Sequence, residues 1–131
     1  WDWAMDPDGL KYVLHELYGR YQMPLLIIEN GLGATDVLTN DYKIHDVYRI
    51  DYLRQHINSM KQAITEGVNV IGYTTWSAID LVSASSGQIT KRYGFIYVDM
   101  DDEGNGTFNR YKKDSFYWYK KVIESNGEDL S

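Results

Sequence analysis

Pro24-Leu25-Leu26-Ile27-Ile28-Glu29-Asn30-Gly31-Leu32-Gly33 is the stretch on which the reading of this chain turns. Residues 25–28 are aliphatic without a polar break; a carboxylate, an Asn-Gly turn and a second glycine follow. A short apolar run bounded by Pro and Gly predicts a strand buried on both faces, the pattern of parallel sheets. Glu29 falls where that strand ends. Ligands and chemistry gather at the carboxyl ends of parallel strands in barrels and open α/β sheets, which makes Glu29 a candidate functional carboxylate. Position alone is equally compatible with Glu29 opening a solvated loop.

Upstream, Asp6-Pro7 predicts a helix start, with an acceptor at the cap and proline in the first turn. Leu10, Val13, Leu14, Leu17, Tyr18 and Tyr21 follow at helical spacing, and His15 lies off that stripe, on the surface. Downstream, residues 31–45 are polar and irregular, a loop long enough to suggest function, with His45 inside it. Ile50, Leu53, Ile57, Met60 and Ile64 then mark a second amphipathic helix that stops near Gly67, with His56 beside the stripe and expected in solvent. Residues 68–76, rich in β-branched and aromatic side chains, predict a second buried strand ending at Trp76. Strand, helix, strand with two apolar strands is a βαβ unit and implies a parallel pair. A small-residue loop at 81–90, a short strand at 95–98, an Asp/Gly/Asn turn at 101–106 and a helix over 114–124 complete the order. Two parallel strands cannot close a barrel, and a complete set of eight βα units takes ~250 residues. The expected fold is therefore α/β, about a quarter of a (β/α)8 barrel, incomplete on its own and with strand edges open to self-association.

Composition narrows the function. Hydrophobic residues make up 44% and charged residues 24% of the 131, so the chain is globular. The net charge of −6 argues against nucleic acid, which requires a basic face. With no cysteine, neither disulfides nor thiolate metal sites are available, which fits a reducing cytoplasm. No apolar run reaches the ~18 residues of a membrane span. The 12 Tyr and 4 Trp suit sugar binding as well as core packing. The opening Trp1-Asp2-Trp3-Ala4-Met5 reads as the interior of a longer protein.

Retaining hydrolysis of a glycosidic bond uses one carboxylate as nucleophile and a second, about 5 Å away, as acid. Glu29 is placed for one role. Asp80 is the best second candidate, but its apolar context, Ala78-Ile79-Asp80-Leu81, favours a structural ion pair. Ser83 followed by Lys91-Arg92-Tyr93 offers hydroxyl, ammonium and phenol, all phosphate donors, with solvated surface as the competing reading.

Taken in order, Glu29-Asn30-Gly31, Thr75-Trp76-Ser77-Ala78-Ile79-Asp80-Leu81 and Lys91-Arg92-Tyr93-Gly94 resemble the C-terminal portion of glycoside hydrolase family 1, the β-glucosidase family, across nearly the whole chain. The resemblance implies that residues 1–131 are the C-terminal segment of the catalytic barrel, about its last two βα units. It implies that Glu29 is the nucleophile and that Trp76 floors the subsite of the sugar to be cleaved. The 6-phospho-β-glucosidase branch is the nearest in pattern. Ordinary members carry Glu-Trp where this chain has Ser83-Ala84, and that glutamate would repel a phosphate. Ser83, with Ser85 as its rival, together with Lys91 and Tyr93, resembles the branch's phosphate-binding set, and Ala84 favours a gluco over a galacto substrate. A phosphorylated β-glucoside substrate, no metal or organic cofactor, and a cytoplasmic location follow from the same resemblance.

The family's acid/base glutamate lies in an Asn-Glu-Pro motif that this chain lacks, so the segment alone is expected to be inactive. A non-catalytic phospho-sugar binding module and a segment of an ordinary β-glucosidase are the alternatives.

Overall fold

Asp6 starts the first helix, α1 (Pro7–Tyr21): its carboxylate accepts the Gly9 N–H at 2.8 Å, and Pro7 occupies a first-turn position where a missing N–H costs nothing. The computed structural model describes residues 1–131. β1 (Leu25–Ile27), α2 (Val47–Thr65), β2 (Val70–Tyr73), β3 (Ile96–Val98), β4 (Arg110–Lys112) and α3 (Asp114–Glu124) follow. β1 and β2 pair in parallel, Leu25 opposite Val70 and Ile27 opposite Tyr73, with α2 as the crossover of the expected βαβ unit. Pairing continues past β1, where the Thr74 N–H reaches the Ile27 carbonyl at 2.8 Å and the Trp76 N–H reaches the Asn30 carbonyl at 2.9 Å.

The helices bury one side of this two-stranded sheet. Leu14, Ala63 and Val68 form a core between α1 and α2, against which Leu25, Ile27 and Val70 pack. A second core, Tyr52, Leu53, Ile57, Phe95, Trp118 and Val122, joins α2, the β3 region and α3. The expectation of two-sided burial is not met: Leu26, Ile28 and Ile71 are 51%, 67% and 66% exposed. No barrel closes within residues 1–131, and no strand of these residues covers those side chains. Val13, Leu17 and Tyr21 of the α1 stripe are exposed for the same reason, while Leu14 is buried.

Three local expectations change. β4 pairs antiparallel with β3, Tyr111 opposite Tyr97; Arg110-Tyr111-Lys112 has one apolar residue and no legible alternation. His56 is buried rather than solvated, its ring stacked on Tyr52 and its Nδ1 2.7 Å from the Tyr52 carbonyl. The 31–45 loop is tied rather than free: Ala34 bridges Arg92, and Ile44 is buried. No helix is long and apolar enough to cross a membrane.

α2 ends as its sequence predicts. The Gly67 N–H bonds the Ile64 carbonyl and the Val68 N–H bonds the Ala63 carbonyl, a Schellman closure with Gly67 at φ +102. Gly67→Ala places a Cβ in that left-handed backbone, and we expect a loss of about 1 kcal/mol in urea unfolding, with the spectrum of the folded state unchanged.

Candidate functional site

Glu29 lies two residues beyond β1 and is exposed, at the carboxyl end of the parallel pair. The next residue locks the strand end. Asn30 accepts the Tyr73 hydroxyl at 2.7 Å and donates to the Tyr52 hydroxyl at 3.3 Å. Burial raises both phenols above their ordinary range, so both stay protonated, Tyr73 as a donor and Tyr52 as an acceptor to Asn30. Beyond β2, Trp76 stands against Gly31, where a built Cβ would come within 3.2 Å of the Trp76 Cβ. Its indole meets the Tyr93 ring edge to face, centroids 6.4 Å apart.

Glu29, Trp76, Ser83 and Tyr93 share the wall of one cavity of about 360 Å³, with Trp3, Asn30, Tyr52 and Ser85. That volume lies within the ~300–1,000 Å³ of small-molecule sites. Ser83 Oγ is 3.1 Å from the Tyr93 hydroxyl and 3.2 Å from Ser85 Oγ, so the two rival serines form one hydroxyl cluster with Ser83 in the middle. Lys91 is not part of the wall. It sits behind it, 3% exposed, with its ammonium 4.7 Å from the Trp3 ring centre and 5.8 Å from that of Tyr93.

The solvated-surface reading of Lys91-Arg92-Tyr93 is corrected, because all three are buried. Arg92 donates to Asp80 at 3.2 Å and to the Val98 and Met100 carbonyls at 2.8 Å, and its guanidinium lies over Tyr97. It is therefore structural. Asp80 is buried in the ion pairs its apolar context suggests: Arg92, Lys113 at 2.7 Å, and the Gly94 N–H at 3.0 Å all reach it. Its carboxylate is spent on packing, and Glu29 is the one carboxyl group in the cavity wall. His45 pairs with Asp114 and His15 with Glu66, both away from the cavity. No group of three His, Cys, Asp or Glu side chains is arranged to hold a metal.

What fixes the wall is a set of buried ions beneath it. Arg49 of α2 binds Asp36 and Asp46 and also donates to the carbonyls of Leu32, Arg92 and Tyr93. Lys113 joins Asp36 at 2.5 Å to Asp80. Burial pulls the Lys113 ammonium below its ordinary range and the Arg49 charge adds to that, against the pull of Asp80 and Asp36. Sequence reasoning missed Trp3, Gly33 and Tyr52 as parts of this region. Trp3 and Tyr52 are distant in sequence from Glu29, and periodicity says nothing about which off-stripe aromatic meets a strand end.

Such an arrangement offers one exposed carboxylate in a wall that also holds an indole ring and a cluster of hydroxyls, with no second carboxyl group in that wall. The sequence profile of glycosyl hydrolase family 1 matches residues 1–128. The chain is 59% identical over 131 residues to the aryl-phospho-beta-D-glucosidase BglA of Bacillus subtilis, covering 99% of this chain and 27% of that protein. It is 58% identical over 130 residues to the 6-phospho-beta-glucosidase AscB of Escherichia coli, with the same shares. Among solved structures, the family 1 β-glucosidase of Thermotoga maritima superposes with a TM-score of 0.87 at 38% identity, over 97% of this chain and 28% of that one. That enzyme is a (β/α)8 barrel, and the present chain spans little more than a quarter of the proteins it matches.

Removing Lys113 takes the shared cation from two buried carboxylates, leaving Asp36 to Arg49 and Asp80 to Arg92. Lys113→Met is expected to cost about 3 kcal/mol in urea unfolding, because two buried charges lose a partner at once.

Proposed function

The chain belongs to glycosyl hydrolase family 1, and from that premise we propose that residues 1–131 are the C-terminal segment of a retaining hydrolase of 6-phospho-β-glucosides. The observation that carries this reading is the shared cavity: Glu29, Trp76 and the Ser83–Tyr93 hydroxyl pair line it, and the Lys91 ammonium lies against the Trp3 and Tyr93 rings of the same wall. In the proposed mechanism Glu29 attacks the anomeric carbon and forms the glycosyl-enzyme intermediate, which water then releases with retention. Trp76 stacks on the apolar face of the sugar. Ser83, Lys91 and Tyr93 hold the phosphate, with Ser85 adjusting Ser83 through their hydroxyl contact.

The names of the relatives support the substrate class, since aryl-phospho-β-glucosidase, 6-phospho-β-glucosidase and phospho-cellobiase all occur at 55–60% identity. A 6-phospho-β-galactosidase stands at 44%, in keeping with the gluco preference read from Ala84. Phosphorylated sugars are made and kept inside cells, so the proposed site of action is the cytoplasm. The open face around Leu26, Ile28 and Ile71 is the proposed seat of self-association when the segment is alone. The lone carboxylate of the wall sustains one second reading, a phospho-sugar binding module without turnover.

Glu29→Gln in the longest native polypeptide that carries this segment separates the two. The hydrolase reading expects turnover of an aryl 6-phospho-β-glucoside to fall at least ~10³-fold with binding retained. It also expects no turnover by the isolated 131 residues. Hydrolysis by the isolated chain, or a Glu29→Gln protein of undiminished rate, overturns it.

A further inference from the structure

Two lysines of this chain are almost fully covered, and their surroundings differ in kind. Lys113, 0% exposed, lies between Asp36 and Asp80. Lys91, 3% exposed, meets no carboxylate in a chain with 19 acidic residues. A covered ammonium without a counter-charge is costly. Ring faces offset that cost: Trp3 at 4.7 Å, Trp1 at 5.5 Å and Tyr93 at 5.8 Å, all within the ~6 Å reach of a cation–π contact. No fully buried polar side-chain atom lacks a hydrogen-bond partner. The Lys91 ammonium has none, so it is the part of this side chain that reaches solvent.

The stem of Lys91 is fixed from the other side. A Cβ built on Gly33 would stand 2.9 Å from Lys91 Cε, 3.0 Å from Lys91 Cγ and 2.8 Å from Tyr93 Cε1. Gly33 does not have a positive φ, so the backbone there would accept any residue and only the close approach demands glycine. One missing side chain thus seats two of the proposed phosphate donors together.

We propose that Trp3 and Gly33 are specificity-determining positioning residues that act through Lys91. They hold its ammonium unpaired beside the Tyr93 ring, so that an anionic substituent on the sugar supplies the missing counter-charge. A π face attracts the cation without neutralising it; a carboxylate in the same place would cancel the attraction and repel the phosphate. This inference rests on the phosphate reading of the site.

The test is a titration of the longest native polypeptide that carries this segment with glucose 6-phosphate, inorganic phosphate and glucose, followed by NMR at the Lys91 ε-CH₂ signal. The Trp1 and Trp3 rings shift that signal through their ring currents. In the unaltered chain, glucose 6-phosphate and inorganic phosphate move it and glucose does not. Gly33→Ala weakens glucose 6-phosphate binding about tenfold, the effect of misplacing one charge-assisted hydrogen bond. Trp3→Leu weakens it about two- to fivefold and Trp3→Phe restores most of the loss. Trp3 is 62% exposed, so its variants keep the fold even where Gly33→Ala does not. An unaltered chain without preference for the phosphorylated sugar overturns the phosphate reading and this inference with it. Glucose 6-phosphate affinity undiminished in Trp3→Leu, or diminished as much in Trp3→Phe, overturns the inference alone.

Discussion

Arg49 is the residue through which the parts of this structure are held in one frame. It projects from α2 and is 1% exposed. Its guanidinium is fully occupied, by two carboxylates on the loop after β1 and by backbone carbonyls on both sides of the cavity. Leu32 follows Glu29 by three residues, and Tyr93 is itself in the wall. A planar, always charged fork suits this role because it can satisfy several acceptors in a fixed geometry. Lys113 repeats the arrangement from the start of α3, joining Asp36 to Asp80, and Arg92 extends it to the β3 region. Buried ions of this kind are weak sources of net stability, yet costly to break, which makes them register pins more than glue.

The consequence is a rigid rim on a small, open body. β1 and β2 contribute a short parallel pair with one face on the helices and the other in solvent. Left to apolar packing alone, the long connections after these strands would have little to fix them. The ion set anchors them instead, and Glu29, Trp76, Ser83 and Tyr93 converge on one cavity although up to 64 positions separate them in sequence. The same cavity shows what this piece does not supply, since its wall has one carboxylate where glycoside hydrolysis uses two. The open sheet face goes with the same fact: the chain spans little more than a quarter of the family 1 proteins it matches.

Charge is distributed with the same economy. Asp80, Asp36 and Asp46 are neutralised in the interior by Arg49, Arg92 and Lys113. Lys91 is the covered cation that meets aromatic rings and no carboxylate. A chain with a net charge of −6 thereby keeps one positive group without a counter-charge, over the Tyr93 ring whose hydroxyl meets Ser83.

The order of helices and parallel strands, the stop at Gly67, the span of α3 and the placing of Glu29 at a strand end were all determined by the sequence itself. Hydrophobic period, caps and glycine act over a few residues and are visible in a string. Asp80 was legible too, because a carboxylate among Ala78, Ile79 and Leu81 has to find a cation. Tertiary structure alone decided that Arg92 turns inward to Asp80 while its neighbour Lys91 meets tryptophans, that His56 leaves solvent for the Tyr52 ring, and that Arg110-Tyr111-Lys112 becomes a strand. Lys91 meets Trp3 from the far end of the chain, Arg92 meets Asp80 twelve positions away, His56 meets Tyr52 one helical turn away in a core that other elements close, and Arg110-Tyr111-Lys112 needs an edge that only β3 provides. Long-range pairing of charges and rings has no period in sequence, so nothing short of the folded chain can say which cation is neutralised and which is left without a counter-charge.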